Sequence, residues 1–232
     1  MFEYDLAVIE RFPTIRAGVV AVSGLGNGPA PPELVDGFRV EQRAALERLA
    51  MTPIAEIASI AAWRRVFTAF GSKPTQYRNA AEALLRRLDK QGEIPSISTL
   101  VDIGNLVSIR YAMPVAVFDA AGIADSIVVR FATGDEPFAD LGSSDTVSPE
   151  PGEVVFVDAD GVVQARRWCW RQSAGGATNP GTVRALFVTE GHHDAAAVDV
   201  RMAVDDLTAL LASHQPRCEV RSSLLSPANP RV

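Results

Sequence analysis

Four polar residues lie inside stretches of the sequence that are otherwise apolar. Asp102 and Asn105 are three residues apart in a segment with helical periodicity, so both lie on one side of that helix. Arg130 ends an apolar run, and Glu136 follows it after a short turn. Such groups can transfer protons and orient water. The alternative is structural, because Asp102 and Asn105 can cap loops while Arg130 and Glu136 can form a packed ion pair.

Metal-dependent and covalent chemistry find little support in the sequence. The densest set of metal-ligating residue types is His192-His193-Asp194, but adjacent histidines in a strand point to opposite faces and cannot easily share one ion. The serines lack a Gly-x-Ser-x-Gly elbow, and Cys169 between two tryptophans is typical of packed sulfur. We therefore expect no metal, no other cofactor and no covalent intermediate.

Positive charge is concentrated in one stretch of an acidic chain. The net charge is −6, which argues against a protein that coats nucleic acid non-specifically. Between Arg64 and Lys90, however, seven basic residues face two acidic ones, so this window carries +5 and the remainder −11. A second basic cluster, Arg166, Arg167 and Arg171, alternates with Trp168 and Trp170, a mixture suited to phosphate contact and base stacking. The alternative for that cluster is a strand with a solvated face.

The elements that must position these residues follow a strand, helix, strand order. Alternating or β-branched runs predict strands over 4–9, 15–23, 115–118, 126–132, 153–157, 162–170 and 183–189, with a hairpin turn at 158–161. Helical periodicity predicts helices over 34–49, 54–67, 75–88, 98–111 and 195–214, followed by a last short strand after Pro216. This order predicts one α+β domain over residues 1–232, with helices on one side of mostly antiparallel sheets.

Composition indicates an ordinary globular protein. Hydrophobic residues make up 47% of the chain and charged residues 22%, which excludes disordered and fibrous classes. The longest apolar stretches are far shorter than the roughly 18 residues that a membrane span needs, and residues 1–10 lack a basic signal-peptide region. Two cysteines in so long a chain fit a reducing compartment. We therefore expect no membrane partner and a cytoplasmic location.

The spacing of the polar residues resembles the editing domain of the phenylalanyl-tRNA synthetase beta subunit. Val101-Asp102-Ile103-Gly104-Asn105-Leu106-Val107, then Pro114 and Phe118-Asp119, is similar to that domain's V-D-x-T-N-Y-V and Q-P-x-H-x-F-D stretch. Free-standing relatives, the B3/4-domain proteins, share further motifs, and the resemblance covers roughly residues 62–189. Those motifs are Val128-Val129-Arg130-Phe131-Ala132 with Glu136, Phe70-Gly71-x-Lys73-Pro74, Tyr77-Arg78, Arg86-Arg87 and Trp168-x-Trp170-Arg171-Gln172.

The resemblance implies a three-layer α+β fold in which a helical cluster packs on a β-sandwich. It also implies a cleft that, in the synthetase, hydrolyses tyrosine wrongly esterified to phenylalanine tRNA. For this chain it implies a tRNA-binding protein that hydrolyses a mischarged aminoacyl-tRNA in trans, with the aminoacylated acceptor end as partner, and it leaves a homo-oligomer open. The residues carried over are Asn105, Asp102 and Glu136 as catalytic; Arg130, Trp168, Trp170, Arg171, Thr182 and Glu190 in the cleft; and Lys73, Arg78, Arg86 and Arg87 on RNA.

Two positions depart from the family pattern. Ala116 stands where the family has the histidine of Q-P-x-H, and Val188 stands where an acid follows Thr182 by six residues, with Glu190 two residues further on. Ala116 favours a second hypothesis, a non-catalytic module that binds tRNA, an amino acid or a protein partner. Polar residues buried at the cleft favour an enzyme, and a small-molecule enzyme using the same cleft is a third hypothesis.

Overall fold

A layer of helices, a four-stranded sheet and a five-stranded sheet stack face to face in the computed structural model, which describes residues 1–143 and 145–232. The helices are α1 (Leu6–Arg11), α2 (Pro32–Met51), α3 (Ala58–Ala69), α4 (Ala80–Gln91), α5 (Thr99–Tyr111) and α6 (Ala196–His214). Short 3₁₀ turns cover Ile54–Glu56 and Ala120–Gly122. Among the described helices, none combines the length and hydropathy that a membrane crossing requires.

The strands are interspersed with the helices along the chain. They are β1 (Phe2–Tyr4), β2 (Arg16–Ser23), β3 (Val115–Asp119), β4 (Ile127–Phe131), β5 (Phe138–Ala139), β6 (Thr146–Val147), β7 (Val154–Asp158), β8 (Val163–Arg166), β9 (Arg171–Gln172), β10 (Arg184–Gly191) and β11 (Glu219–Leu225). Strands β5 and β6 pair only with each other among the described strands.

The four-stranded sheet is the middle layer, with strand order β11-β2-β10-β3 and antiparallel pairing throughout. Its residues alternate between two cores, as a pleated strand requires. Val20 and Val22 pack with the helices, whereas Ala17 and Val19 pack with the outer sheet. Gly18 lets helix α6 approach closely, because a Cβ at this position would lie 2.2 Å from a methyl group of Val204.

The five-stranded sheet is the outer layer, with strand order β1-β4-β7-β8-β9. Strand β1 pairs with β4 in parallel, and the other pairings are antiparallel. Phe2, Ile127 and Phe156 turn inward and share a core with the middle sheet. The expected three-layer α+β fold with a β-sandwich is therefore confirmed.

Two predicted elements begin or end differently because of local caps. The strand predicted over 4–9 is wrong: β1 stops at Tyr4, and the Asp5 carboxylate accepts a hydrogen bond from the Ala7 N–H (2.8 Å), which starts helix α1. The helix predicted from Thr75 begins only at Ala80, because the Asn79 side chain accepts from the Glu82 N–H (2.9 Å).

The strand predicted over 162–170 is also too long. Strand β8 ends at Arg166, and Arg167 and Trp168 take positive φ values of 44° and 62° in the turn to β9. Non-glycine residues rarely adopt this conformation, and each costs on the order of 1–2 kcal/mol. The backbone N–H of Trp168 donates a hydrogen bond to the Val154 carbonyl at 2.6 Å, which offsets part of this cost. The predicted hairpin at 158–161 is confirmed, with Gly161 in the left-handed region.

The turn after β4 is built around the Glu136 carboxylate. Its Oε1 accepts from Arg130 Nη1 (2.5 Å) and from the Thr133 N–H (2.9 Å), and its Oε2 accepts from the Gly134 N–H (2.9 Å). Burial alone would raise the pKa of Glu136, but these hydrogen bonds outweigh it and lower the pKa from 4.5 to about 2. The ion pair thus stabilises the fold above pH 4.5, and this contribution is lost as the pH falls from 4.5 towards 2.

We predict that Glu136→Gln lowers the free energy of unfolding at pH 7 by about 1–3 kcal/mol, because it removes a charged acceptor from three donors. We also expect coupling in a double-mutant cycle with Arg130→Met. The double variant should lose less free energy of unfolding than the sum of the losses of the two single variants. Urea unfolding measures both quantities. Glu10→Gln, the same change at an exposed carboxylate, is the control. Strict additivity in the cycle would contradict the coupling.

Candidate functional site

Strand β10 carries the carboxyl group of Glu190 into the interface between the two sheets. Glu190 Oε1 accepts two hydrogen bonds, from the Tyr4 hydroxyl (2.5 Å) and from Trp168 Nε1 (2.7 Å). The Glu190 backbone carbonyl accepts a third, from Trp63 Nε1 at 3.3 Å. Glu190 is only 2% exposed, yet its second oxygen, Oε2, has no hydrogen-bond partner among the described residues. One carboxyl oxygen therefore holds the structure together while the other is free for a ligand.

Burial makes this carboxyl group titrate near neutrality. Desolvation raises the pKa of Glu190 from 4.5 to about 7, although the hydrogen bonds from Tyr4 and Trp168 act in the opposite direction. Burial, and then the neighbouring Glu190, also raise the pKa of the Cys169 thiol well above its ordinary value. The thiol is therefore protonated at neutral pH and is a poor nucleophile.

A cavity of about 80 Å³ opens between the sheets above Glu190. Its floor consists of the buried lining residues, which are Pro114, Phe156, Ala165, Trp168, Val188 and Glu190. Its mouth consists of partly or fully exposed residues, which are Ala80, Val115, Ala116, Cys169, Trp170, Arg171 and Gln172. Ala116, the position of the family histidine, thus lies at the entrance. The structure brings four of the expected cleft residues together here: Trp168, Trp170, Arg171 and Glu190.

Trp170 and Arg171 line the mouth of this cavity, and three further residues contact Trp170. We call this group the collar: Tyr77, Arg166, Arg167, Trp170 and Arg171. The Arg167 guanidinium carbon lies 3.9 Å from the Tyr77 ring centroid and 5.0 Å from that of Trp170. The Arg171 guanidinium carbon lies 4.7 Å from the Trp170 centroid, and the Tyr77 and Trp170 rings meet edge to face at 4.9 Å. The arginine contacts are cation–π interactions, and together with the edge-to-face ring pair they hold the rings in place.

Acidic residues fix the arginines of the collar. The buried Glu153 accepts from Arg166 Nε (3.1 Å) and Nη2 (2.9 Å) and from the Arg167 N–H (3.0 Å). Arg171 forms an ion pair with Asp140. Arg166 and Arg167 are each 8% exposed, so these two do not lie on a solvated strand face, whereas Arg171 is exposed.

The basic window forms a separate face centred on a buried acid. Glu82 is fully buried, and its Oε1 lies 2.7 Å from Arg64 Nη1, 2.9 Å from Arg86 Nε and 3.9 Å from Arg78 Nε. Glu82 and Arg86 are thus an i,i+4 ion pair on helix α4. Three guanidinium groups share one carboxylate, so this basic face keeps a net positive charge. The Ala80 N–H donates to the Cys169 carbonyl (2.9 Å), which joins helix α4 to the collar.

Lys73 and Arg87, two of the expected RNA contacts, are exposed in the same stretch of chain. Neither has an ion-pair partner among the described residues. They are therefore free to contact a ligand, whereas Arg78 and Arg86 are partly committed to Glu82.

The two adjacent histidines are structural in this arrangement. The His192 ring packs against Trp63 (4.6 Å between centroids) and Trp168 (5.1 Å), and Thr14 Oγ1 lies 3.0 Å from its Nδ1. Burial, followed by His193 and Arg16, lowers the pKa of His192 to about 3, so it is neutral at physiological pH. His193 Nε2 contacts Asp199 at 2.7 Å. In the described part of the chain, no group of three potential ligands is arranged to hold a metal ion.

Other expected site residues lie away from the cavity lining. Asp102 accepts from Ser96 Oγ (2.5 Å) and the Ile97 N–H (2.9 Å), so both of its oxygens hold the loop before α5. Thr182 Oγ1 donates to Asp119 at 2.7 Å. Asn105 is half-buried, with no side-chain hydrogen bond to the described residues. Arg130 and Glu136 form the ion pair described above.

Sequence reasoning missed Tyr4 and Glu153 as parts of the site. Tyr4 lies 186 residues from Glu190 along the chain, and no local spacing connects them. Glu153 did carry a signal, because it is an isolated acid at the start of a strand that precedes three arginines. A basic cluster buried in a sheet requires such a counterion.

The raised pKa of Glu190 gives a measurable pH dependence of stability. The folded state keeps the proton that the unfolded chain loses above pH 4.5, so the stabilisation present below 4.5 is lost as the pH rises to about 7. We predict that the wild type loses up to about 3 kcal/mol relative to Glu190→Gln across this window. Urea unfolding at several pH values measures it, and parallel profiles would contradict the assignment.

Comparison with known proteins supports the family resemblance that the sequence motifs indicate. The B3/4 domain model matches residues 62–207, which is more than half of the chain. Over 78 residues, the chain is 40% identical to the phenylalanine–tRNA ligase beta subunits of Neisseria gonorrhoeae and of Neisseria meningitidis serogroup B. That alignment covers 34% of this chain and about a tenth of the length of either relative.

A solved structure aligns over a longer span. An N-terminal fragment of the phenylalanyl-tRNA synthetase beta subunit from Pyrococcus horikoshii aligns over 95% of this chain and 50% of its own, with a TM-score of 0.48 and 12% identity. The family match, by contrast, spans α3 to α6 and includes every residue that lines the cavity. This chain belongs to the B3/4 domain family.

Proposed function

We propose that this protein binds the aminoacylated end of a tRNA and hydrolyses the aminoacyl ester in trans. The proposal rests on one observation, which is that three features lie next to one another. They are an apolar cavity with a buried carboxyl group, the collar at its mouth, and the basic face beside the collar. The similarity to beta subunits of phenylalanine–tRNA ligases supports it.

The three features correspond to the three parts of such a ligand. An amino-acid side chain fits a small cavity with apolar walls, which removes it from water. The terminal nucleotide can stack on Trp170 or Tyr77, because bases stack on aromatic rings and guanidinium planes. The phosphates behind it meet exposed cations such as Lys73 and Arg87. A free amino acid would leave the collar and the basic face unused.

The polar groups at the mouth can support ester hydrolysis by water. Gln172 Nε2 donates to the carbonyls of Val117 and Gly176, both at 2.8 Å, which fixes the amide and leaves Oε1 without a partner among the described residues. A fixed amide oxygen can orient an attacking water. Arg171, held by Asp140, can donate to the oxyanion. The water oxygen bonds to the ester carbonyl carbon, and the bond from that carbon to the ribose oxygen breaks. One proton of the water passes to the ribose oxygen, so the products are the free amino acid and a ribose hydroxyl group.

This arrangement reassigns the expected catalytic roles. We propose that Asp102 and Glu136 shape loops, since their oxygens already accept hydrogen bonds from their own surroundings. Asn105 does not line the cavity, and we assign it no role in the chemistry. Gln172 and Arg171 take the roles nearest the reacting ester, because both line the cavity at its mouth.

Ala116 favours one other candidate function, a binding module without catalysis. A methyl group at the entrance cannot transfer a proton, and the neighbouring Cys169 thiol is protonated at neutral pH. Such a module would hold the same aminoacylated end without cleaving it. The two candidates differ in turnover alone, so a deacylation assay separates them.

We predict slow deacylation of at least one mischarged aminoacyl-tRNA in a screen across amino acids, unaffected by a chelator. Gln172→Ala should lower the rate by about 10²-fold, as loss of one positioned polar group does. Gln91→Ala, the same change at an exposed position at the end of α4, should leave the rate unchanged. Binding without turnover for every amino acid would leave the binding module. Loss of activity with a chelator would contradict the metal-free mechanism.

We also predict that tRNA binding weakens steeply with salt, because each phosphate contact releases counterions. Lys73→Ala with Arg87→Ala should lower the affinity and reduce the slope of log affinity against log salt by about 1.5. These two are chosen over Arg86 because its loss would leave the buried Glu82 less compensated. The matched control removes two exposed arginines elsewhere, Arg201 and Arg217. An equal slope in both double variants would place the RNA away from the basic face.

A further inference from the structure

The volume of the cavity limits what can enter it. A water molecule in the liquid occupies about 30 Å³, and an engineered protein cavity that binds benzene measures about 150 Å³. The cavity above Glu190 measures about 80 Å³, roughly half the volume of that benzene-binding cavity. It therefore has room for a side chain of two or three non-hydrogen atoms and none for a phenyl or phenol group.

The walls cannot easily move apart to enlarge this space. Trp168 packs edge to face against Trp63 (5.3 Å between centroids) and Phe12 (5.2 Å), and its indole N–H is bound to Glu190. Phe156 contacts Phe2 of its own sheet (5.5 Å between ring centroids) and Phe118 of the middle sheet (6.0 Å). Displacing either ring would disrupt the close-packed aromatic core of both sheets.

The floor is polar at one point. Glu190 lines the cavity and is only 2% exposed. Its Oε2 has no hydrogen-bond partner among the described residues. The other floor residues are the apolar Pro114, Phe156, Ala165 and Val188 and the ring of Trp168. A side chain that enters from the mouth places its tip at this floor, where a hydroxyl group could bond to Oε2 and a methyl group would leave Oε2 unpaired.

We propose that the cavity selects small hydroxyl-bearing side chains, threonine or serine, and excludes aromatic ones. This inference rests on the proposed function, since it names the class of aminoacyl group that the site accepts. Size exclusion comes from Phe156 and Trp168, and the preference for a hydroxyl comes from Glu190. Threonine and valine have nearly the same shape, so the pair isolates the hydroxyl group from the volume.

The test is calorimetric binding of non-hydrolysable adenosines that carry an aminoacyl amide at the 3′ position, with plain adenosine as the reference. The threonyl compound should bind about 10–100-fold more tightly than the valyl compound, because the valyl methyl group would leave the buried Oε2 of Glu190 without a hydrogen-bond partner. The phenylalanyl and tyrosyl compounds should bind no better than adenosine. Ala116→Leu, which fills the partly exposed entrance, should abolish the threonyl advantage and keep adenosine binding.

Three other binding results would each contradict a specific part of the proposal. Tyrosyl or phenylalanyl binding equal to threonyl binding would overturn the selectivity and leave the proposed function standing. Equal binding of the threonyl and valyl compounds would overturn the role of Glu190 in the choice. No binding of any compound, adenosine included, would overturn the proposed function together with this inference.

Discussion

The hydrogen bonds to the buried Glu190 carboxyl group are the constraint on which the rest of the site depends. They tie strand β1 through Tyr4 and the β8–β9 turn through Trp168 to strand β10, and the neighbouring backbone carbonyl ties helix α3 through Trp63. Four elements that are distant in sequence therefore converge at one residue. A buried carboxyl group is costly unless it is hydrogen-bonded or neutral, and here both conditions contribute.

The same interaction sets the geometry of the cavity and the collar. Because the Trp168 indole is anchored at Glu190, the chain must reverse immediately after β8, and Arg167 and Trp168 adopt left-handed conformations to do so. The reversal brings Trp170 and Arg171 to the mouth of the cavity, where Arg167 stacks on Tyr77. Backbone strain of this kind persists only where surrounding contacts over-determine it, as they do here.

Much of the fold can be predicted from hydrophobic periodicity and residue spacing in the sequence. Period-two runs predict β2 and β10 correctly, since Val20 and Val22 on one face and Ala17 and Val19 on the other must both be buried. The spacing of Arg130 and Glu136 predicts their ion pair because a short turn joins them. Local caps such as Asp5 and Asn79 were readable in principle, yet the apolar runs around them outweighed their signal.

The site was only partly predictable for a physical reason. Trp168, Trp170, Arg171 and Glu190 were expected in the cleft, and the structure places all four on one cavity. Asp102 and Thr182 resemble site residues in spacing, but their polar atoms are taken up by neighbours that tertiary packing supplies, Ser96 and Asp119. Spacing along the chain identifies a residue's type and face. It does not reveal whether a distant partner such as Tyr4 will occupy that residue's oxygen.

The central claim is that an aminoacyl group enters the cavity side chain first. A crystal structure of the protein with a non-hydrolysable threonyl amide of adenosine tests it most directly. The account predicts the threonyl hydroxyl within hydrogen-bond distance of Glu190 Oε2 and the adenine ring against Trp170 or Tyr77 of the collar. An adenosine bound elsewhere on the surface, with the cavity above Glu190 empty, would contradict it.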